Sequence, residues 1–94
     1  MSAQAQPTVR IDNERTRVTE WRFAPGAATG WHRHEYDYVV VPLTTGRLRL
    51  IGAGGAESLA ELTAGLPYFR PAGVEHDVVN ASAGEFVFVE VEFK

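Results

Sequence analysis

Ninety-four residues, 45% of them hydrophobic and 22% charged, suffice for one small core and no more. Nine Lys and Arg against twelve Asp and Glu leave a net charge of -3, which offers neither the basic footprint of a nucleic-acid binder nor the polybasic patch of a membrane-surface protein. With no cysteine, the chain lacks disulfides, thiolate zinc sites, iron–sulfur clusters and cysteine nucleophiles, and a reducing cytoplasm is the expected location.

The start, Met1-Ser2-Ala3-Gln4-Ala5-Gln6, has no apolar signal core and is expected to be a disordered tail, so that residues 7–94 form a single domain. No apolar run approaches the roughly 18 residues of a membrane span. From Pro7 onward the segments are short, rich in β-branched and aromatic residues, and closed by Gly, Pro or Asn, the pattern of strands and turns. Thr8 to Ile11 stops at Asp12-Asn13, and Arg15 to Phe23 alternates with a period of two. After a loop at residues 25–30, Trp31 to Glu35 and Asp37 to Leu43 are expected strands. Gly46 then opens a hairpin that turns at Gly52-Ala53-Gly54-Gly55 and returns through Ser58 to Leu62. Tyr68 to Arg70, Val74 to Asn80 and Glu85 to Phe93 complete about nine strands, with no segment of helical period. The chain is expected to be all-β, a sandwich or a barrel.

All three histidines fall in informative places. His32 and His34 are two apart, so on one strand they leave the same face about 6.6–6.8 Å apart. His76 lies 42 residues later, on a strand that follows a Pro-x-Gly turn, and closing an antiparallel barrel can bring it opposite the pair. Three imidazoles converging from two strands make a facial nitrogen set for one divalent transition metal, with positions left open for water or substrate.

The frame around these histidines is specific. Gly26, His32, His34 and Gly46 form one block; Gly65, Pro71, Gly73, His76 and Asn80 form another. The two blocks resemble the paired signature motifs of the cupin superfamily over Gly26 to Asn80. The runs 31–38 and 68–73 are similar to short bacterial cupins of β-alanine degradation. The resemblance implies a small double-stranded β-helix (a jelly-roll barrel) holding one divalent metal (Fe, Ni, Zn or Mn) on His32, His34 and His76, and it points to a homodimer. The family's glutamate ligand falls on Val39 when Gly46 sets the register, so Val39 is expected beside the metal, leaving more open coordination. Three neutral imidazoles keep the ion's full +2 charge and favour an anionic ligand, an arrangement that resembles the three-histidine thiol dioxygenases of the superfamily.

Asp37 and Glu35 are the candidates to replace the missing acid, although both read more simply as rim charges. Glu75 and Asp77 flank His76 and should point out of the barrel. Asn80 is expected to satisfy backbone groups in a tight turn. Trp31, Tyr38, Tyr68 and Phe69, together with Phe23, Phe86 and Phe88, are expected to fill core or line the pocket, and Arg33 and Arg70 are able to pair with a substrate carboxylate. The face Val87-Val89-Val91-Phe93 reads as an apolar stripe for self-association. The implied function is a metal-dependent oxygenase, isomerase or hydrolase acting on a small anionic metabolite. The alternatives are a ligand-binding or sensor module and a barrel with a structural metal.

Overall fold

The computed structural model describes residues 3–94. Nine strands follow in order: β1 (Gln6–Asp12), β2 (Thr16–Phe23), β3 (His32–Arg33), β4 (Asp37–Pro42), β5 (Gly46–Ile51), β6 (Glu57–Leu62), β7 (Tyr68–Arg70), β8 (Glu75–Asn80) and β9 (Phe86–Phe93). A single 3-10 turn at Ala53–Gly55 interrupts them. The expected all-β class is the observed one, and among the described residues no helix is long and apolar enough to cross a membrane.

Two antiparallel sheets face each other, with strand orders β1-β2-β9-β4-β7 and β3-β8-β5-β6. Alternation decides what each strand gives to the space between them. Tyr38, Val40 and Pro42 of β4 lie opposite Glu92, Glu90 and Phe88 of β9, and Phe23 of β2 lies opposite Phe86. These positions point inward: Phe23 and Phe86 are fully buried, and Tyr38, Val40 and Phe88 nearly so. From the smaller sheet, Leu48 and Val78 close the core. The apolar centre therefore sits at one end of the barrel, and the polar inward residues Glu90 and Glu92 lie toward the other.

Gly46 begins β5 where the backbone passes close to the core: a Cβ there would stand 2.7 Å from Phe86 Cδ2 and would also strike the Ser82 hydroxyl. Asn80 is buried at the end of β8. Its Nδ2 donates to the carbonyls of Phe23, Ala24 and Gly84, and its Oδ1 accepts from Ser82 N–H. One side chain thereby ties the end of β2 to the turn before β9, the backbone-satisfying role expected of it.

Two expectations are corrected. Of the expected tail, Met1 and Ser2 lie outside the described residues, but residues 3–6 are held in place. Ala28 N–H donates to Ala3, Ala5 N–H donates to Ala28, and Ala5 is buried in the core. A small side chain that fills a gap and a backbone that pairs outweigh the polar composition. Trp31 and Phe69 are also more than half exposed, so neither is core. Phe69 alternates with the inward Tyr68 and Arg70, which places it on the outer face.

Candidate metal centre

The expected strand Trp31 to Glu35 is shorter than the sequence implies, and the reason is the site itself. β3 pairs with β8 for two residues only, which sets His32 directly opposite His76. The chain then leaves the ladder at His34, whose N–H donates to Val74 O and whose carbonyl accepts from Gly73 N–H at 2.9 and 2.8 Å. Gly73, with φ +93°, supplies the left-handed turn that makes this clamp. The Pro71-Ala72-Gly73 turn of the second motif thus fixes the backbone of a histidine from the first. His34 bends inward, is 7% exposed, and stacks on Tyr38 with ring centroids 3.8 Å apart.

The three imidazoles meet. His34 Nε2 lies 3.1 Å from His32 Nε2 and 3.3 Å from His76 Nε2, and the ligand atoms of all three lie within 4.8 Å of one another. His32 Nδ1 is 2.9 Å from the carbonyl oxygen of Gly30, which only accepts, so Nδ1 carries the hydrogen and Nε2 turns a lone pair toward its neighbours. Gly30 is held in turn, because its N–H donates to Asp77 Oδ1. Asp77 does point away from the cluster, as parity requires, yet it positions His32 through Gly30. Burial first, then the neighbouring imidazoles, hold the His34 pKa down at about 4; burial and His32 do the same for His76, also to about 4. At neutral pH both rings are uncharged, the form that ligates. Three nitrogens at about 2.0–2.1 Å from one ion would stand roughly 2.8–3.4 Å apart; the two pairs that share His34, at 3.1 and 3.3 Å, match that spacing, and three imidazoles are a donor set that suits a divalent transition metal.

The remaining candidates separate cleanly. Val39 does not face this cluster: it pairs with Val91 and Phe69 on the outer face, while Tyr38 and Val40 on either side turn inward. Counting back from Gly46 fixes a position in the sequence, but the strand's alternation fixes which side of the sheet it occupies. Asp37 shares the outer parity and accepts from Ala72 N–H, bracing the turn before β8. Glu35 is exposed on the rim, and Glu75 pairs with Arg33 outside. Neither Asp37 nor Glu35 joins the three histidines.

Sequence reasoning missed one acid. Glu90 of β9 is buried, its Oε1 lies 3.7 Å from His34 Nε2, and its Oε2 accepts from Trp21 Nε1 at 3.3 Å. Burial, with the charge of Glu92 adding to it, pushes its pKa up to about 7. Glu92 is matched by a bidentate Arg17 at 2.9 and 3.1 Å, whereas no Arg or Lys reaches Glu90. The signal was present in β9, where Phe86, Phe88, Glu90 and Glu92 share a face. The opposite face, Val87, Val89, Val91 and Phe93, carries the stronger apolar pattern.

These groups surround one cavity of about 70 Å³ between the sheets, with Leu48, Leu50 and Phe88 as its apolar lining and Arg70 and Tyr68 on the β7 side. At roughly 10–15 Å³ for each water, that is room for about five waters, or a ligand of about half a dozen non-hydrogen atoms.

Comparison with known proteins agrees with the geometry. A family model for the cupin domain matches residues 19–92. Beta-alanine degradation protein BauB of Pseudomonas aeruginosa is 64% identical over 91 residues, which span 97% of this chain and 95% of that protein. A crystal structure of a cupin domain from Bordetella pertussis Tohama I is 60% identical and superposes with a TM-score of 0.96, covering 100% of this chain and 97% of that one. An RmlC-like cupin from Shewanella frigidimarina NCIMB 400, at 19% identity, has a TM-score of 0.71 over 99% of this chain and 78% of its own, and shares the fold. With two facing sheets, paired histidine motifs meeting at β3 and β8, and a family match across most of its length, the chain belongs to the cupin family.

Proposed function

We propose that this cupin is a metal-dependent enzyme that acts on a small anionic metabolite, with His32, His34 and His76 as the metal ligands. The observation that carries the proposal is the convergence of three imidazole nitrogens within 4.8 Å at the wall of a cavity sized for a few heavy atoms. When bound, a divalent ion would supply a Lewis-acidic centre with open positions. The chain does the rest. Gly30 and Asp77 orient His32, the Gly73–Val74 clamp orients His34, and the apolar lining limits access of water to the cavity. The 64% identity to a protein named for β-alanine degradation supports a place in the breakdown of β-alanine or a related short amino acid.

Incubating the protein, loaded separately with Fe2+, Ni2+, Zn2+ or Mn2+, with β-alanine and a panel of short keto, hydroxy and amino acids, followed by proton NMR, tests this. Consumption of one compound by one metal form, abolished in His76→Ala, is the expected outcome. Unchanged spectra for every metal form would contradict an enzyme and leave a ligand-binding barrel.

A further inference from the structure

Arg70 of β7 and Tyr38 of the neighbouring β4 both line the cavity, opposite each other in the register of the two strands and on the same inward face. Each lacks the partner its chemistry calls for. Among the described residues, Arg10, Arg17, Arg22, Arg33, Arg47 and Arg49 all meet carboxylates within 4.0 Å, and Lys94 meets Asp12. Arg70 meets none. Its Nη1 donates only to the carbonyl of Phe69, and its guanidinium lies 4.9 Å over the Tyr68 ring, which holds the plane in place. Tyr38 is 2% exposed, and its hydroxyl is a buried polar atom with no hydrogen-bond partner. A buried hydroxyl left without a partner destabilises the fold, so its presence at the cavity points to a partner that enters with a ligand.

The cavity is also polarised. Across the larger sheet, β4 separates Arg70 on β7 from Glu90 on β9, which also lies two residues along the strands, opposite Val40 rather than Tyr38, a backbone span of roughly 12 Å at the usual strand spacing and rise. A carboxylate is therefore attracted at the β7 end and repelled at the β9 end, and this fixes which way round a short acid lies.

We infer that Arg70 and Tyr38 form a carboxylate-binding subsite, so that the ligand of this cavity is a short-chain carboxylic acid whose acid end rests on β7 and whose other end faces the three histidines. The guanidinium supplies the charge-assisted contact, and the Tyr38 hydroxyl donates to a carboxylate oxygen. The inference deepens the proposed function by naming the substrate class, but its recognition step needs no metal.

The test uses propionate as the probe and propionamide, of the same size but uncharged, as its control, titrated calorimetrically into metal-free and Zn2+-loaded protein. Propionate should bind both forms and propionamide neither. Arg70→Met should weaken propionate binding roughly ten- to a hundredfold, and Tyr38→Phe roughly two- to tenfold. Tyr38→Phe should melt at or above the wild-type temperature without ligand, because it removes an unpartnered hydroxyl; loss of binding in a protein of undiminished stability identifies a recognition role. Three results would overturn the subsite: no propionate binding by wild type, equal binding of propionate and propionamide, or binding that requires Zn2+ and is unchanged in Arg70→Met. A wild type that takes up no Zn2+ yet binds propionate through Arg70 would uphold the subsite and refute the metal-dependent function.

Discussion

With His34 Nε2 at 3.1 and 3.3 Å from the other two Nε2 atoms, three imidazole nitrogens are placed to converge on one divalent cation. Each of His32→Ala, His34→Ala and His76→Ala should therefore release the metal while keeping the β-rich circular dichroism of the fold. Without metal the site should register in stability against pH. His34 and His76 titrate near 4 in the folded protein against 6.5 for an ordinary histidine, so the unfolded chain takes up their protons first as pH falls. Their contribution is complete above pH 6.5 and is lost as pH drops from there through about 4. Glu90 runs the other way: raised from 4.5 to about 7, it stabilises the folded state progressively as pH falls from 7 to 4.5. Two imidazoles outweigh one carboxyl, so the melting temperature of chelator-treated protein should fall between pH 6.5 and 4.5; a flat or rising profile would contradict the burial described here. Glu90→Gln removes a buried carboxyl that no Arg or Lys contacts directly. It should leave the metal-free protein as stable or more so at pH 8, and weaken metal binding roughly ten- to a hundredfold, the range for partners that support a metal site. Unaltered affinity, read by competition with a chromophoric chelator, would remove Glu90 from the site.

Strands and turns decide where such residues end up, and much of this level was legible in the sequence. Turn residues bounded most of the strands, though none separates β3 from β4, and the two glycine-framed blocks marked the histidines before their geometry was known. What stayed hidden depended on parity and pairing. Val39 was one residue away from the inward Tyr38, a shift that a count between glycines does not detect but that moves a side chain to the other face of the sheet. Glu90 was hidden by its neighbours, because a face of two phenylalanines and two glutamates reads as less buried than a face of valines. The close contact of His34 with Gly73 and Val74 joins residues some forty apart in the chain, which no local pattern reports. That contact carries a prediction at this scale. Gly73 holds φ +93° with open space around a notional Cβ, its nearest neighbour being Arg33 Nη2 at 3.8 Å, so Gly73→Ala pays only backbone strain. The cost should be about 1–2 kcal/mol by urea denaturation, with a matching loss of metal affinity as His34 loosens. An alanine that costs nothing in either measurement would mean that the turn does not set the histidine.

The whole barrel presents two sides, the cavity within and the outer face of the five-stranded sheet. On that outer face an apolar row crosses every strand, Ile11, Val18, Val91, Val39 and Phe69, each paired with the next. The stripe read from β9 alone is narrower than expected, since Val87 is buried and Phe93 is its one exposed member, but the row across the sheet extends it. A second copy is the expected cover, because a two-fold axis lets the same row bury itself. Sedimentation should give the mass of two chains at micromolar concentration, and Val91→Glu should give one; a wild-type monomer would contradict this. The inner side holds the central claim, that three histidines from two motifs bind one metal ion. The most direct measurement is elemental analysis of protein purified without a metal-affinity tag, wild type beside His32→Ala, His34→Ala and His76→Ala. One equivalent of a divalent transition metal in the wild type, and none in each folded variant, is the predicted result. Stoichiometric metal in all three variants, or none taken up by the wild type even after incubation with Fe2+, Ni2+, Zn2+ or Mn2+, would contradict it.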